Sequence, residues 1–412
     1  MIDTICSHAK KAAKACVMLD ENSKNAILQN LIDQIKENKK EIITENKKDL
    51  ENAKSKGLSE AFIQRLEMSN KIFTEIIDGI KTIIKLKDPI GQVLANKTLE
   101  NGLKLKKVRV PLGIILIIYE SRPNVTIDVS AICIKSGNVV ILKGGSDAMN
   151  TNKALFNCIK KAFEKGGINP DNVQFIDSTD RTVIDNLLKR DEDIDVVIPR
   201  GGKELIKKVS DSSSIPVIKH YEGVCNIYVD KEADLKKAVD IILNSKVDKP
   251  SACNAVENLI IHDAVANELL PKLKKEFDKE KVEMRGCAET QKIIKVKKAT
   301  EKDYATEYLA KIISIKVVKD LCKAAEFIDT YSSKHTESII TENRKTAELF
   351  EKRIDSAVIF HNASTRFTDG GQFGMGCEIG ISTQKLHARG PMGLKEMTSY
   401  KFIVEGDGQV RN

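Results

Sequence analysis

The chain has 412 residues, 41% of them hydrophobic and 31% charged: long enough for two or three cores, with the balance of a globular protein. Its longest apolar runs, such as GIILIIY at 113–119, fall far short of the roughly 20 residues a membrane span needs. The N-terminus lacks the order of an export signal, so a cytoplasmic protein is expected, and acids dilute the +8 formal charge throughout while aromatics are only 5%, which argues against a nucleic-acid binder.

Residues 1 to about 88 read as helices. NAILQNLIDQI places Ile27, Leu28, Leu31, Ile32 and Ile35 on one face, at spacings of three and four. Ser59 in LSEAFIQRL has the place of an N-cap. From 91 to 110 the pattern changes to two extended stretches around ENG, a hairpin signal.

Apolar, β-branched stretches follow at 113–120, 138–144, 173–177, 195–202 and 217–230, with helical stretches between the first four. Unbroken apolar strands alternating with helices imply a parallel sheet covered on both faces. A second alternating series starts after Cys253 with NLIIHD, VEMRG, IISIKVV, ESIITEN and SAVIFHNA. It predicts a second, smaller α/β domain, after which the tail returns to extended and turn-rich chain.

Nine cysteines are scattered with no CxxC pair, so disulfides are not expected. The one close Cys/His pair, Cys6 and His8, falls short of the four ligands of a structural zinc site, and no metal is expected. Cys253 stands apart from the rest. It follows Pro250 and Ser251 in a loop and precedes NAVENLII, which fits either a helix or a strand. At the mouth of a helix its thiolate would be favoured by the dipole; the plain alternative is a small buried hydrophobe. Cys225 lies within a strand pattern, where that alternative is stronger.

Three loops follow strand ends, where open α/β sheets place their ligands: ESRPNVT, KGGSDA and PRGGKEL. Glycines ahead of a helix let backbone amides approach an anion, and Arg200 and Lys203 beside Gly201 and Gly202 add charge. Each GG pair is equally an ordinary tight turn, and both GxGxxG and the Walker motif are missing.

The segments VPLGIILIIYESRPNVT, LKGGSDA, PRGGKELI, SACNAVENLIIH, TEYLAKIISIKVV, NASTRFTDGGQFGMGCEIGIS and LHARGPMGLKEMTSYKF closely resemble the γ-glutamyl phosphate reductases, a divergent branch of the aldehyde dehydrogenase superfamily. The match runs in order over essentially the whole chain. The resemblance implies a Rossmann-type parallel-sheet domain binding NADPH or NADP (1–90 and 111–230) and a smaller α/β catalytic domain (231–360). It further implies a β arm for oligomerisation (91–110 and 382–412) and a return segment lining the active site (361–381).

The implied activity is the NADPH-dependent reduction of γ-glutamyl phosphate to glutamate 5-semialdehyde and phosphate, the second step of proline biosynthesis from glutamate. By the same resemblance Cys253 is the nucleophile and Asn124 an oxyanion donor. Lys143, Gly145 and Ser146 face the adenosine ribose and its 2′-phosphate, Arg200, Gly201 and Gly202 the pyrophosphate, and Glu307 the nicotinamide ribose. Arg122, Ser364, Arg366 and Arg389 are candidates for the substrate's anionic groups. Oxidising relatives keep a water-activating glutamate in an ELGG motif; here Lys219 falls near that place, with Glu222 three residues on. A homo-oligomer, dimer or tetramer, is implied, and a transient contact with glutamate 5-kinase is left open. A charge-driven scaffold of dehydrogenase fold is the competing class.

Overall fold

The computed structural model describes residues 1–180, 182–219 and 222–411. The chain forms two compact units, one made of 1–219, 374–380 and 392–412, the other of 220–373 and 381–391.

The first unit opens with five helices: α1 (Ile2–Cys16), α2 (Glu21–Glu37), α3 (Lys39–Ser55), α4 (Glu60–Leu66) and α5 (Asn70–Lys85). The face of α2 read from the spacing at 27, 28, 31, 32 and 35 is wholly buried. Ser59 caps α4 as expected, its Oγ accepting the Phe62 N–H at 3.3 Å. The hairpin around ENG is β1 (Val93–Thr98) and β2 (Lys104–Pro111), paired antiparallel. The distant β16 (Thr398–Glu405) adds to β2 and completes a three-stranded sheet.

The parallel sheet comes next: β3 (Ile114–Tyr119), α6 (Val125–Lys135), β4 (Val139–Gly144), α7 (Met149–Lys165), β5 (Val173–Phe175), α8 (Thr182–Leu187), β6 (Val196–Arg200) and α9 (Lys203–Ser212). Its strand order is β5-β4-β3-β6, all pairs parallel. Every residue of β3 and β4 is buried, the outcome expected for strands covered on both faces. On one face Ala9, Ala12 and Cys16 of α1 pack with Leu116, Ile141 and Val197. Each large apolar side chain so buried stabilises by about 1.5–3 kcal/mol. The sheet thereby holds the ends of β3, β4 and β6 side by side, and the three candidate loops start there.

The second unit contains β7 (Cys225–Val229), α10 (Leu235–Val247), β8 (Val256–His262), α11 (Asp263–Lys279), β9 (Glu283–Gly286), α12 (Ala288–Ile293), β10 (Lys297–Lys298) and α13 (Glu301–Tyr304). It continues with β11 (Ile312–Val318), α14 (Leu321–Tyr331), β12 (Thr336–Ile340), α15 (Arg344–Arg353), β13 (Val358–His361), β14 (Ile381–Ser382) and β15 (Gly390–Pro391). Seven strands form a parallel sheet in the order β10-β9-β11-β8-β7-β12-β13. Its core packs Ile227, Leu259, Ile261, Ile313 and Ile315 against Leu269, Leu270 and Leu273 of α11.

Three expectations of domain extent change. The return segment 361–381 divides, with 374–380 in the first unit and the rest in the second. The stretch 217–230, read as a last strand of the first sheet, divides. Val217 still bridges to Val197 of β6, but Cys225–Val229 pairs with β8 and β12 in the second sheet. The division between units therefore falls at 219/220 and not at 230/231. The tail expected as one arm from 382 also divides: β14 and β15 pair with each other in the second unit, and only β16 joins the hairpin. Among the described residues no helix is long and apolar enough to cross a membrane.

Candidate active site

In the first unit the chain leaves β3 through Glu120 and a tight turn. Ser121 there takes a left-handed backbone (φ 56°), uncommon for a residue with a side chain and frequent at functional loops. Asn124 precedes α6 but does not cap it. Its Nδ2 donates instead to Oδ2 of Asp128, one turn on, at 2.8 Å. Burial pushes the Asp128 carboxyl up to about 6, against the pull of that hydrogen bond and of nearby Arg200. Arg122 is exposed on the same turn.

β4 delivers Lys143, which is buried, with Nζ donating to the Gly144 carbonyl at 2.8 Å. Burial lowers its pKa, and among the described residues no carboxylate forms an ion pair with it. A desolvated ammonium with only a carbonyl for company fits an anionic group placed beside it. Gly145 is half-buried and Ser146 exposed, opening the short helical turn that leads into α7.

β6 ends at Arg200, and Gly201 and Gly202 lead into α9. The Gly202 N–H at this helix start is already engaged: it donates to Oε2 of Glu120 at 2.9 Å. The fit is close enough that a Cβ on Gly201 would lie 2.8 Å from the Glu120 carboxyl carbon. Arg200 turns toward Gly380, where an added Cβ would meet its Cζ at 3.0 Å. The turn expected to cradle a pyrophosphate thus holds a carboxylate of the chain itself, and sequence reading did not single out Glu120.

In the second unit Cys253 is half-buried in a turn at 250–255 that leads directly into strand β8. No helix starts there, so the dipole argument for its thiolate does not apply. The nearest helix is α10, which ends at Val247, ahead of the cysteine. The turn is closed by N–H donation from Ala252 to the Lys249 carbonyl and from Ala255 to the Ala252 carbonyl, both at 3.0 Å. Behind it, Sγ of buried Cys225 donates to the Cys253 carbonyl at 3.2 Å. Gly223 packs on the same main chain, so near that a Cβ would lie 2.8 Å from the Cys253 α-carbon.

Asn254 anchors the turn to residues 364–368, with Nδ2 donating to the Thr368 carbonyl at 2.8 Å and to that of Arg366 at 3.3 Å. The Arg366 guanidinium pairs with Asp248 at 2.9 Å and also bonds Oδ1 of Asn254. Ser364 is buried, its Oγ 2.9 Å from that of Ser245 on α10. Of these two candidates for substrate anions, Arg366 braces the Cys253 turn through Asn254, and Ser364 ties the 364–368 segment to α10. Arg389 is held by Asp355, Nη1 to Oδ1 at 2.6 Å and Nη2 to the carbonyl at 2.9 Å, and this partner keeps the Asp355 carboxyl at about 2.

Glu307 is half-buried; burial raises its pKa and the nearby Gly223 main chain works the other way. The second unit thus packs Gly223 on the Cys253 main chain and ties the Cys253 turn to Arg366 through Asn254. Gly223 was missed in the sequence; a glycine directly before a buried strand is its only signal there. His220 and Tyr221, between Lys219 and Glu222, lie outside the described residues. Among the described residues no group of His, Cys, Asp and Glu is placed to hold a metal ion.

The chain's similarities to known proteins accord with this layout. The model of the "Aldehyde dehydrogenase family" matches residues 1–293. A gamma-glutamyl phosphate reductase of Nautilia profundicola is 48% identical over 98% of this chain and 98% of its own length. One from Magnetococcus marinus is 47% identical, covering 100% of this chain and 98% of the relative. The crystal structure of gamma-glutamyl phosphate reductase from Thermotoga maritima superposes with a TM-score of 0.97 at 45% identity, over 99% of each chain. The chain belongs to the aldehyde dehydrogenase family, in the branch formed by the gamma-glutamyl phosphate reductases.

Proposed function

We propose that the protein reduces γ-glutamyl phosphate to glutamate 5-semialdehyde and phosphate, the second step of proline biosynthesis, through a thioester on Cys253. The observation that supports this most directly is the Cys253 turn. A half-buried thiol is carried on a main chain fixed by Cys225, Gly223 and Asn254, so the nucleophile is positioned before any substrate arrives.

The Cys253 thiolate attacks the acyl carbon, and phosphate leaves with the electron pair of the broken C–O bond. NADPH supplies the hydride that reduces the thioester carbonyl. Collapse of the resulting hemithioacetal returns the thiolate and frees the aldehyde. Asn124 donates its amide to the oxygen that gains charge in both steps, oriented by Asp128. Lys143 holds the 2′-phosphate that distinguishes NADPH from NADH, with Gly145 and Ser146 beside it, and Glu307 the nicotinamide ribose. Arg200, Gly201 and Gly202 receive the pyrophosphate once Glu120 gives way. The exposed faces of β1 and β16, with Leu94, Phe402 and Val404, support a homo-oligomer built through this arm.

One observation favours a second reading. Glu222 directly precedes Gly223, so a carboxylate stands next in sequence to the residue packed on Cys253. A base there would activate water and make the enzyme a hydrolytic aldehyde dehydrogenase. Phosphate dependence separates the two. With glutamate 5-semialdehyde and NADP, turnover that requires phosphate supports the proposal; equal turnover without phosphate supports the hydrolytic reading, and no turnover contradicts both.

A further inference from the structure

The segment that carries Glu307 is tied to the strand that leaves the Cys253 turn. The Glu307 carboxyl lies in the field of the Gly223 main chain, which packs on the Cys253 main chain. Two residues on, Leu309 has a left-handed backbone (φ 52°) and its N–H donates to Oε1 of Glu257 at 3.3 Å. Glu257 lies on β8, four residues after Cys253, and its other oxygen accepts from Nζ of Lys246 at 2.6 Å. Lys246 is in the last turn of α10, so the two residues sit at opposite ends of the loop that bears the thiol. Both side chains are fully buried.

We propose that Lys246 and Glu257 are positioning residues of the reaction: their ion pair closes the Cys253 loop at its base and, through Leu309, sets Glu307 against the thiol. A pair sealed from water is a poor source of stability, because desolvation of both charges offsets their attraction. Burial accordingly pushes the Glu257 carboxyl up to about 7 and the Lys246 ammonium down, with Glu307 and Cys225 adding to the field on the lysine. What the pair does supply is geometry. It connects helix, strand and the 307–309 segment at one point, where an apolar contact of equal volume would leave the Leu309 N–H without an acceptor.

The inference rests on the proposed roles of Cys253 and Glu307, and the test separates the two. Lys246→Met with Glu257→Leu replaces the pair by apolar side chains of similar volume. We expect the thermal midpoint to stay near that of the wild type and the KM for glutamate 5-semialdehyde to change by less than about threefold. The kcat for phosphate-dependent NADP reduction should fall about a hundredfold, the scale of a reactive group displaced by about an ångström. A double variant with kcat near the wild-type value overturns the inference and leaves the proposed function standing. An inactive wild type overturns both. Should the double variant not fold, Glu257→Gln decides: a similar loss of kcat in a folded protein supports positioning. Unchanged kcat, or failure of this variant to fold as well, overturns it, the pair then being dispensable or merely structural.

Discussion

Gly223 and Cys253 touch main chain to main chain: a Cβ on Gly223 would collide with the Cys253 carbonyl oxygen and lie 2.8 Å from its α-carbon. The obstacle is backbone, so no flexible side chain can move aside. Gly223→Ala therefore has to push the Cys253 turn outward. We expect kcat to drop by about a hundredfold or more, with the thermal midpoint lowered by several degrees. Steady-state kinetics beside a melting curve checks this, and a fully active Gly223→Ala enzyme would show that the turn has slack.

Asn124 is oriented by a group that titrates. The Asp128 carboxyl is pushed up to about 6 by burial, with Glu75 adding to the rise and Asn124 and Arg200 opposing it. Above that pH the carboxylate accepts the Asn124 amide; below it the protonated acid holds the amide less firmly. The kcat profile of the wild type should fall on the acid side near pH 6. Asp128→Asn keeps an acceptor but cannot titrate, so this acid limb should vanish while kcat at pH 8 stays within a few-fold. Asp128→Ala should lose about tenfold or more at pH 8. An acid limb unchanged in Asp128→Asn would assign the titration to another group.

Lys143 tests cofactor choice. Among the described residues its buried ammonium bonds only the Gly144 carbonyl, and a charge-assisted bond to a 2′-phosphate contributes about 1.5–3 kcal/mol, or ten- to a hundredfold in affinity. Lys143→Ala should weaken NADPH by that factor and NADH far less, read by fluorescence titration of each cofactor. Equal weakening of both would mean that the lysine supports the turn.

Much of this was legible in the sequence, and what was not has a common cause. The α2 face, the Ser59 cap and the buried strands β3 and β4 follow from local spacing and residue type, which depend on neighbours within one turn or one strand. Cys225–Val229 reads like the strands before it, and nothing local says which sheet it joins. The run after Cys253 was ambiguous because Glu257 and Asn258, both buried, interrupt an otherwise apolar strand. Their partners are Lys246 and Leu309 for the first and Asn226 and Tyr304 for the second, set mostly by tertiary pairing. Glu120 reaches Gly202 across 82 positions, and Gly223 reaches Cys253 across 30. Close approaches of this kind leave only a small residue or a lone acid in the sequence. For Arg366 and Arg389 the arginine type is visible in the sequence and its engagement with Asp248 and Asp355 is not.

Stability should depend on pH through Glu337. This fully buried carboxyl on β12 is pushed up to about 8 by burial, although Ser332, Asn226 and Ser356 all bond it. Its folded pKa lies above the unfolded value, so the folded protein keeps a proton that the unfolded chain releases. The resulting stability is complete below about pH 4.5 and declines as pH rises toward 8, by at most about 1.4 kcal/mol per unit. Glu337→Gln, whose amide can face the two serine hydroxyls, should show a smaller fall in thermal midpoint between pH 5 and 8. Parallel slopes for variant and wild type would contradict this.

In the proposed reaction Cys253 carries an acyl group which phosphate, and not water, removes. Rapid mixing of enzyme, NADP and glutamate 5-semialdehyde without phosphate tests it most directly, followed by mass analysis of the quenched protein. A burst of one NADPH per subunit is expected, with a glutamyl adduct on Cys253, near-zero turnover afterwards, and resumption when phosphate is added. Steady NADPH formation without phosphate, or an adduct on any other residue, would contradict it.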